Sequence, residues 1–203
     1  MSEKNCPCPC HSPKTILPPS EFKPCCENQG KKYKDGKEIP QGRKVGFTGT
    51  HRGACPEQLT EAEARLRALR EEGFDEFHHG QCIGADEQVA KIARTLGYRV
   101  VAHPGLASDP ANLMYRSDWD GNAEVLEAKP FIARDHDIVN ETEVMLATPV
   151  SREEHMRSGT WTTVRYARKK GRKEGETLFV LKPPFTPPQW VRDQRPTISR
   201  GEK

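Results

Sequence analysis

A short run of small and polar residues, Arg157-Ser158-Gly159-Thr160-Trp161, is the part of the sequence best suited to chemistry. It leads into residues 162–167 (TTVRYA), which we predict to be helical. At the N-terminus of a helix the first backbone N–H groups have no partner within the helix, and the helix dipole is positive there. Because the side chains are small, these N–H groups stay open. We therefore predict that Ser158, Gly159 and Thr160 bind a phosphate or another anion.

Two further turns carry glycine and small polar residues where predicted strands end. They are residues 48–53 (TGTHRG) and residues 80–86 (GQCIGAD). In an open parallel sheet, ligands bind beyond the carboxyl ends of the strands, so we expect all three turns to form one site. A nearby arginine that begins a predicted helix can pair with phosphate through two hydrogen bonds. The predicted ligand-binding residues are Gly49, Thr50, Arg52, Gly84, Ala85, Asp86, Arg134, Ser158, Gly159 and Thr160.

Several of these residues also have a purely structural interpretation. Ser158 or Thr160 can serve as a helix N-cap, and Arg52 can lie in solvent. Asp86 can bind ribose hydroxyls or assist glycosidic cleavage, or it can simply be a favourable charge in the first turn of a helix. His78 and His79 end a predicted strand, so one is expected to face inward and the other outward.

The alternation of apolar strands and amphipathic helices predicts an α/β fold with an open parallel sheet flanked by helices. We predict a helix that begins near Thr60, with Glu63 completing a capping box, and a second helix after Gly84. A long loop is expected over residues 105–128. The remaining predicted elements are strands at residues 45–47, 76–79, 98–102, 144–147 and 177–181 and helices at residues 131–140 and from residue 158.

The sequence divides into a Cys/Pro-rich N-terminal extension (residues 1–42), a nucleotide-binding domain (43–182) and a Pro-rich C-terminal tail (183–203). The extension holds five of the seven cysteines. Two interpretations of them stay open: a zinc site, or a reduced extension without metal. The candidate zinc ligands are Cys6, Cys8, Cys10, His11, Cys25 and Cys26.

Charge and hydropathy limit the function classes. Residues 45–182 carry 19 Lys/Arg against 22 Asp/Glu, which argues against nucleic acid as a partner. No apolar run is long enough to span a bilayer and no hydrophobic signal region follows Met1, so we expect a cytoplasmic protein without a membrane partner. No G-x-x-x-x-G-K-[ST] motif occurs, which disfavours triphosphate hydrolysis. The first strand is not followed by G-x-G-x-x-G, which disfavours an ordinary dinucleotide dehydrogenase.

The order of the motifs TGTHRG, HGQCIGAD, HPG, ARDHDIVNETEVMLATP and RSGTWTTVRYARKKG resembles the SLOG superfamily of Rossmann-like proteins, especially its small YspA-like members from bacteria and phages. The superfamily includes the "lonely guy" phosphoribohydrolases and the DNA-processing protein A family. The resemblance covers residues 43–182 and implies a pocket for a nucleotide or a phosphorylated ribose derivative. It also implies self-association, since relatives often dimerise. We expect the protein to require no cofactor.

The same resemblance bears on catalysis. Gly159 and Thr160 match the G-T of the phosphoribohydrolase signature, and Arg134 matches its arginine, but Thr163 stands where the catalytic glutamate belongs. An oxocarbenium-like transition state needs a nearby carboxylate. A sensor or sequestering protein is therefore the leading hypothesis. One alternative is an N-glycoside hydrolase of nucleoside monophosphates, with Asp86 and Arg134 as catalytic residues, and a second is a DNA-binding protein.

Overall fold

The computed structural model describes residues 32–34, 37–39, 42–106 and 115–185, and the chain divides into two compact units, residues 1–41 and 42–203. In the first unit, strands β1 (Lys32–Lys34) and β2 (Lys37–Ile39) form an antiparallel pair. The candidate zinc ligands of the N-terminal extension lie outside the described residues, as does the chain beyond residue 185. The zinc interpretation therefore stays a prediction.

The second unit is built on a six-stranded parallel sheet. Its strands are β3 (Arg43–Gly49), β4 (Phe74–His79), β5 (Arg99–Ala102), β7 (Glu124–Val125), β9 (Val144–Thr148) and β10 (Leu178–Val180), in the order β10-β9-β3-β4-β5-β7. Strands β6 (Gly105–Leu106) and β8 (Lys129–Pro130) form a separate parallel pair. The helices are α1 (Pro56–Glu71), α2 (Ala85–Thr95), α3 (Phe131–Glu141) and α4 (Gly159–Lys169). The predicted α/β, Rossmann-like fold is confirmed.

Helices cover both faces of the sheet, so the protein has two apolar layers. Leu66 of α1 and Val89 of α2 pack with Phe47 and Phe77 on one face. On the other face α3 and α4 contribute a second cluster that includes Trp161. Burying a side chain of this kind stabilises the fold by about 1.5–3 kcal/mol. A strand between two helical layers has no solvent face, which is why His78 and His79 are both buried and the expectation of one outward ring was wrong.

Helix α1 begins earlier than the sequence predicts. Its first residue is Pro56 and its N-cap is Cys55, whose N–H donates to the Gln58 side chain at 3.0 Å. Proline suits the first helical position because its missing N–H would have no partner there. The predicted cap at Thr60 is wrong, because the Thr60 hydroxyl donates to the Pro56 carbonyl from inside the helix at 2.9 Å.

The segment predicted as a long loop contains strand structure. Within residues 105–128 the structure describes β6 and β7, and β7 extends the main sheet by pairing with β5. Both strands are only two residues long, so they carry no periodic signal in the sequence. No helix among the described parts of the chain is long and apolar enough to cross a membrane.

The sheet topology fixes where a ligand can bind. From β3 the chain first adds β4, β5 and β7 on one side, and then returns to place β9 and β10 on the other side. The connections that leave β3 and β9 therefore diverge, and a crevice opens between them at the carboxyl edge. Gly49 and Thr148, the last paired residues of these two strands, lie at the base of this crevice.

One buried side chain ties α1 to this edge of the sheet. The amide nitrogen of Gln58 donates to the carbonyl of Pro149 (2.9 Å), just beyond β9, and to the carbonyl of Leu181 (2.7 Å), just beyond β10. Gln58 is 3% exposed. It therefore satisfies two carbonyls at places where the strand ladder has ended.

We expect Gln58→Leu to lower the free energy of unfolding by about 3 kcal/mol, because it leaves buried backbone groups without partners. Urea denaturation of both proteins measures the change. The control Glu61→Leu introduces the same side chain at an exposed position of α1 and should shift stability by less than about 0.5 kcal/mol. Equal stabilities for the two variants would contradict the role given to Gln58.

Candidate functional site

A cavity of about 900 Å³ occupies the crevice between β3 and β9. Eight of the ten residues predicted to bind the ligand line it: Gly49, Thr50, Arg52, Asp86, Arg134, Ser158, Gly159 and Thr160. The volume is in the range of pockets that take a small molecule of nucleotide size. The turns that follow β3 and β9 thus meet at one cavity.

The N-terminus of α4 forms one wall of the cavity. The Ser158 hydroxyl caps the helix by accepting the Trp161 N–H at 3.3 Å. The N–H groups of Gly159 and Thr160 come before the first hydrogen bond of the helix ladder. A side-chain carbon added at Gly159 would meet no atom within 4 Å. The wall therefore presents open backbone donors, as anion-binding helix termini do.

The turn after β3 forms the opposite wall. Gly84 and Ala85, the two predicted residues that do not line the cavity, pack against this turn on the side away from the cavity. A side chain on Gly49 would come within 2.5 Å of the Ala85 Cβ, so glycine is required for this packing. The Ala85 N–H donates to the Thr50 carbonyl at 3.0 Å. Gly84 has φ +80, and a Cβ there would meet the His51 carbonyl at 2.4 Å. Gly84 and Ala85 thus position the turn from outside the cavity lining.

Arg134 is the buried charge of the site. It is 6% exposed, lines the cavity from α3, and lies against the backbone of Gly80, where an added Cβ would fall 1.4 Å from Nη1. Its Nε lies 3.0 Å from Asp135 Oδ1, and Nη2 donates to Cys82 Sγ at 3.7 Å. The Nε contact is not aligned as a hydrogen bond, which leaves this donor buried without a hydrogen-bond partner among the described residues. Asp135 therefore compensates the charge of Arg134 through an ion pair.

Asp86 joins two of the turns. Its carboxylate accepts the Gly49 N–H at 3.2 Å and the Cys82 N–H at 3.3 Å. Burial raises the pKa of Asp86 to about 6, although the Arg134 charge and both N–H groups act in the opposite direction. The carboxylate is thus held in place by the backbone and lines the cavity as well.

Asp135 is a second carboxylate at the cavity. The structure places Asp135 on the cavity wall, whereas Asp137 pairs with Lys129 at 2.7 Å. The Thr163 hydroxyl lies 3.1 Å from Asp135 Oδ2. Burial raises the pKa of Asp135, against the effect of Arg134 and Thr163. A carboxylate from α3 therefore lies beside Thr163.

The pKa of Arg134 responds to these neighbours. Burial lowers it, but Asp135, Cys82 and Asp86 together outweigh burial and the net shift is upward. The guanidinium stays charged. The Cys82 thiol has its pKa raised to about 11 by burial, so it is protonated at neutral pH and a poor nucleophile.

Aromatic residues in the cavity wall carried no sequence signal. The rings of His51 and Tyr115 lie 4.8 Å apart, and the Arg134 guanidinium lies 5.7 Å from the Phe131 ring centre. All three rings line the cavity. They come from three separate segments, so only the folded chain brings them together.

No protein-family model matches the chain, and none of the curated proteins matches it either. Several solved structures are similar to the chain. A molybdenum cofactor binding protein from the phototrophic bacterium Rippkaea orientalis superposes with a TM-score of 0.50 at 17% identity, over 70% of this chain and 77% of that chain. The molybdenum cofactor carrier protein of Chlamydomonas reinhardtii superposes with a TM-score of 0.46 at 17% identity, over 68% of this chain and 75% of that chain. DNA processing protein A from Streptococcus pneumoniae superposes with a TM-score of 0.47 at 22% identity, over 68% of this chain and 50% of that chain.

The likeness to the Rippkaea orientalis protein shows the fold, which is the Rossmann-like fold that the resemblance to the SLOG superfamily implies. The expectation that nucleic acid is not a partner stays a prediction.

The raised pKa of Asp86 predicts a pH dependence. The folded-state pKa of about 6 lies above the ordinary value of 3.8, so stability from this group is fully present below about pH 4 and is lost as the pH rises through about 6. Relative to Asp86→Asn, the wild type should lose about 3 kcal/mol of unfolding free energy across this window. Urea denaturation of both proteins between pH 4 and pH 7 measures the difference, and a difference independent of pH would contradict the assignment.

Proposed function

We propose that the cavity binds a nucleotide or a phosphorylated ribose derivative, with its phosphate at the N-terminus of α4. The observation that carries the proposal is a single cavity lined both by the buried Arg134 guanidinium and by the first residues of α4, Gly159 and Thr160. A phosphate can accept from the N–H groups of a helix N-terminus and pair with a guanidinium at the same time.

The charges of the lining favour an anion over a cation. Three arginines (Arg52, Arg134 and Arg157) and two aspartates (Asp86 and Asp135) line the cavity. The dipole of α4 adds positive potential at Gly159 and Thr160. Phosphate at this wall gains the helix N–H groups and Arg134 while the two carboxylates remain occupied by backbone N–H groups, Arg134 and Thr163.

The aromatic part of the lining favours a ligand with a flat ring. His51, Tyr115 and Phe131 supply faces on which a nucleobase can stack, and stacking is worth about 1–3 kcal/mol per base. A ligand that combines a ring with a phosphate uses both parts of the wall, whereas inorganic phosphate uses only one.

We assign a sensor or sequestering role because the residue at the glutamate position of the hydrolytic relatives is Thr163. A protein that holds its ligand unchanged needs no carboxylate at the sugar. The Rippkaea orientalis protein, with the same fold, is described as binding a cofactor, which is a role of the same kind.

A second candidate function, hydrolysis of the N-glycosidic bond of a nucleoside monophosphate, is favoured by Asp135. Its carboxylate lies 3.1 Å from the Thr163 hydroxyl and lines the cavity. Asp135 can therefore stabilise an oxocarbenium-like transition state in place of the missing glutamate, while water adds to the sugar and the base leaves.

The proposal predicts a loss of binding on Gly159→Asp. The new carboxylate finds open space and suits a helix N-terminus, so the fold should be retained, but it repels a phosphate. Calorimetric titration with nucleoside monophosphates should show binding about 10–100-fold weaker than for Gly159→Asn, which has the same shape without the charge.

Two outcomes would contradict this proposal. One is equal affinity of Gly159→Asp and Gly159→Asn for the mononucleotides that the wild type binds. The other is an absence of mononucleotide binding together with steep salt-dependent binding of a single-stranded oligonucleotide, which is what a DNA-binding function requires.

The hydrolytic candidate is tested by release of free base from nucleoside monophosphates. If it holds, Asp135→Asn should lower the rate at least about 100-fold, while Asp137→Asn, a matched change on the exposed side of the same helix, should leave it unchanged. Binding without base release by the wild type supports the sensor role and removes the hydrolytic candidate.

A further inference from the structure

A second cluster of ligating side chains lies outside the cavity lining, between the sheet and α3. It consists of His78 in β4, His103 just after β5, and Glu141, the last residue of α3. His78 Nδ1 and His103 Nε2 are 2.8 Å apart, and Glu141 Oε2 lies 3.8 Å from each of them. The three side chains come from three separate elements and direct one ligand atom each to a common point.

The fold holds the two rings in place. Strands β4 and β5 are paired with His78 opposite Val101, so His103 follows two residues further along the adjacent strand and lies on the same face. Both histidines are buried, at 2% and 3% exposure. The Glu141 side chain is 44% exposed, so the cluster is open to solvent on the side of the carboxylate.

A carboxylate behind His78 fixes which of its nitrogens is free to bind a metal. His78 Nε2 lies 3.2 Å from Glu76 Oε2, and Glu76 is itself held by Arg99 at 3.1 Å and Lys44 at 3.5 Å. A carboxylate accepts and does not donate, so the proton of His78 is on Nε2 and the lone pair on Nδ1 points toward His103 and Glu141. Histidines that bind metals usually have a carboxylate at the other nitrogen in this way.

We propose that His78 Nδ1, His103 Nε2 and Glu141 Oε2 bind a divalent transition-metal ion of the zinc class, with water in the open position. Two imidazoles and one carboxylate form a ligand set that zinc accepts. With bonds of about 2.0–2.1 Å, tetrahedral ligand atoms are about 3.3 Å apart. The distances here, 2.8 and 3.8 Å, lie on either side of that value, so shifts of about half an ångström in each side chain are enough.

The alternative is a structural histidine pair. In that arrangement His103 Nε2 donates its proton to His78 Nδ1, Glu141 remains a surface carboxylate, and no metal is bound. The two possibilities predict different effects of replacing Glu141. If a metal is bound, the replacement removes one of its ligands, whereas in the histidine pair it leaves the hydrogen bond between the rings unchanged.

Titration of the full-length reduced protein with Co²⁺ separates the two. Cobalt bound by imidazole and carboxylate gives visible d–d absorption without a thiolate charge-transfer band, so this site is distinguishable from any bound by the N-terminal cysteines. One Co²⁺ site should give d–d absorption without a thiolate band. Glu141→Gln and His103→Asn should each weaken Co²⁺ binding at this site at least about tenfold. Any thiolate band should be unchanged in both variants.

Two matched controls accompany the titration. Glu71→Gln changes the last residue of α1, which corresponds to Glu141 at the end of α3, and His136→Asn changes a histidine of α3 outside the cluster. Both should bind Co²⁺ as the wild type does. Zn²⁺ should also raise the melting temperature of the wild type and of both controls, and it should raise that of Glu141→Gln less.

The proposal is overturned if Glu141→Gln binds Co²⁺ with the affinity and spectrum of the wild type. It is equally overturned if every cobalt signal of the wild type carries the thiolate band. Because Glu141 is on the surface, its replacement leaves the fold intact even if His103→Asn does not fold. The metal titration is independent of phosphate binding, so failure here leaves the function proposed for the cavity untouched.

Discussion

The buried guanidinium of Arg134 is the interaction around which the carboxyl edge of the sheet is arranged. A buried charge is tolerated only with compensating charges and hydrogen bonds. Asp135 supplies an ion pair, and Asp86 adds a second nearby negative charge while it joins the turns after β3 and β4. Gly80 provides the space, since any Cβ there would overlap Arg134. The contact between Arg134 Nε and Asp135 is an ion pair and is not aligned as a hydrogen bond, so charge is the main compensation for this buried guanidinium.

The topology of the sheet explains why this charge lies beside a helix N-terminus. Because the chain adds strands on both sides of β3, the connections that follow β3 and β9 separate and leave a crevice between them. The first helical residues of α4 enter that crevice from one side and the turn after β3 from the other. Gln58 fixes the separation by binding the carbonyls that follow β9 and β10. The cavity is thus a consequence of strand order, and its chemistry comes from the residues at the strand ends.

The extent to which the sequence predicts this structure depends on the range of each interaction. The five predicted strands, the start of α2 after Gly84 and the start of α4 at Ser158 are encoded locally by apolar periodicity, glycine and capping residues, and these predictions hold. Pro56 at the first position of α1 was also a local signal, but the capping pattern at Thr60 obscured it.

Contacts distant in sequence had no such signal. The approach of Asp135 to Thr163 and the meeting of His78, His103 and Glu141 each join separate elements, so only tertiary packing brings them together. The two remaining candidate residues, Gly84 and Ala85, were placed in the correct turn, but their position behind the wall depends on how that turn packs against His51 and Thr50.

Backbone amide NMR during titration with a nucleoside monophosphate tests the central claim most directly, since it reads the proposed donors one by one. We predict that the Gly159 and Thr160 N–H resonances shift most, together with those of Gly49 and Thr50, and that the side-chain resonances of Arg134 shift with them. Saturable binding that shifts resonances elsewhere and leaves Gly159, Thr160 and Arg134 unchanged would contradict it.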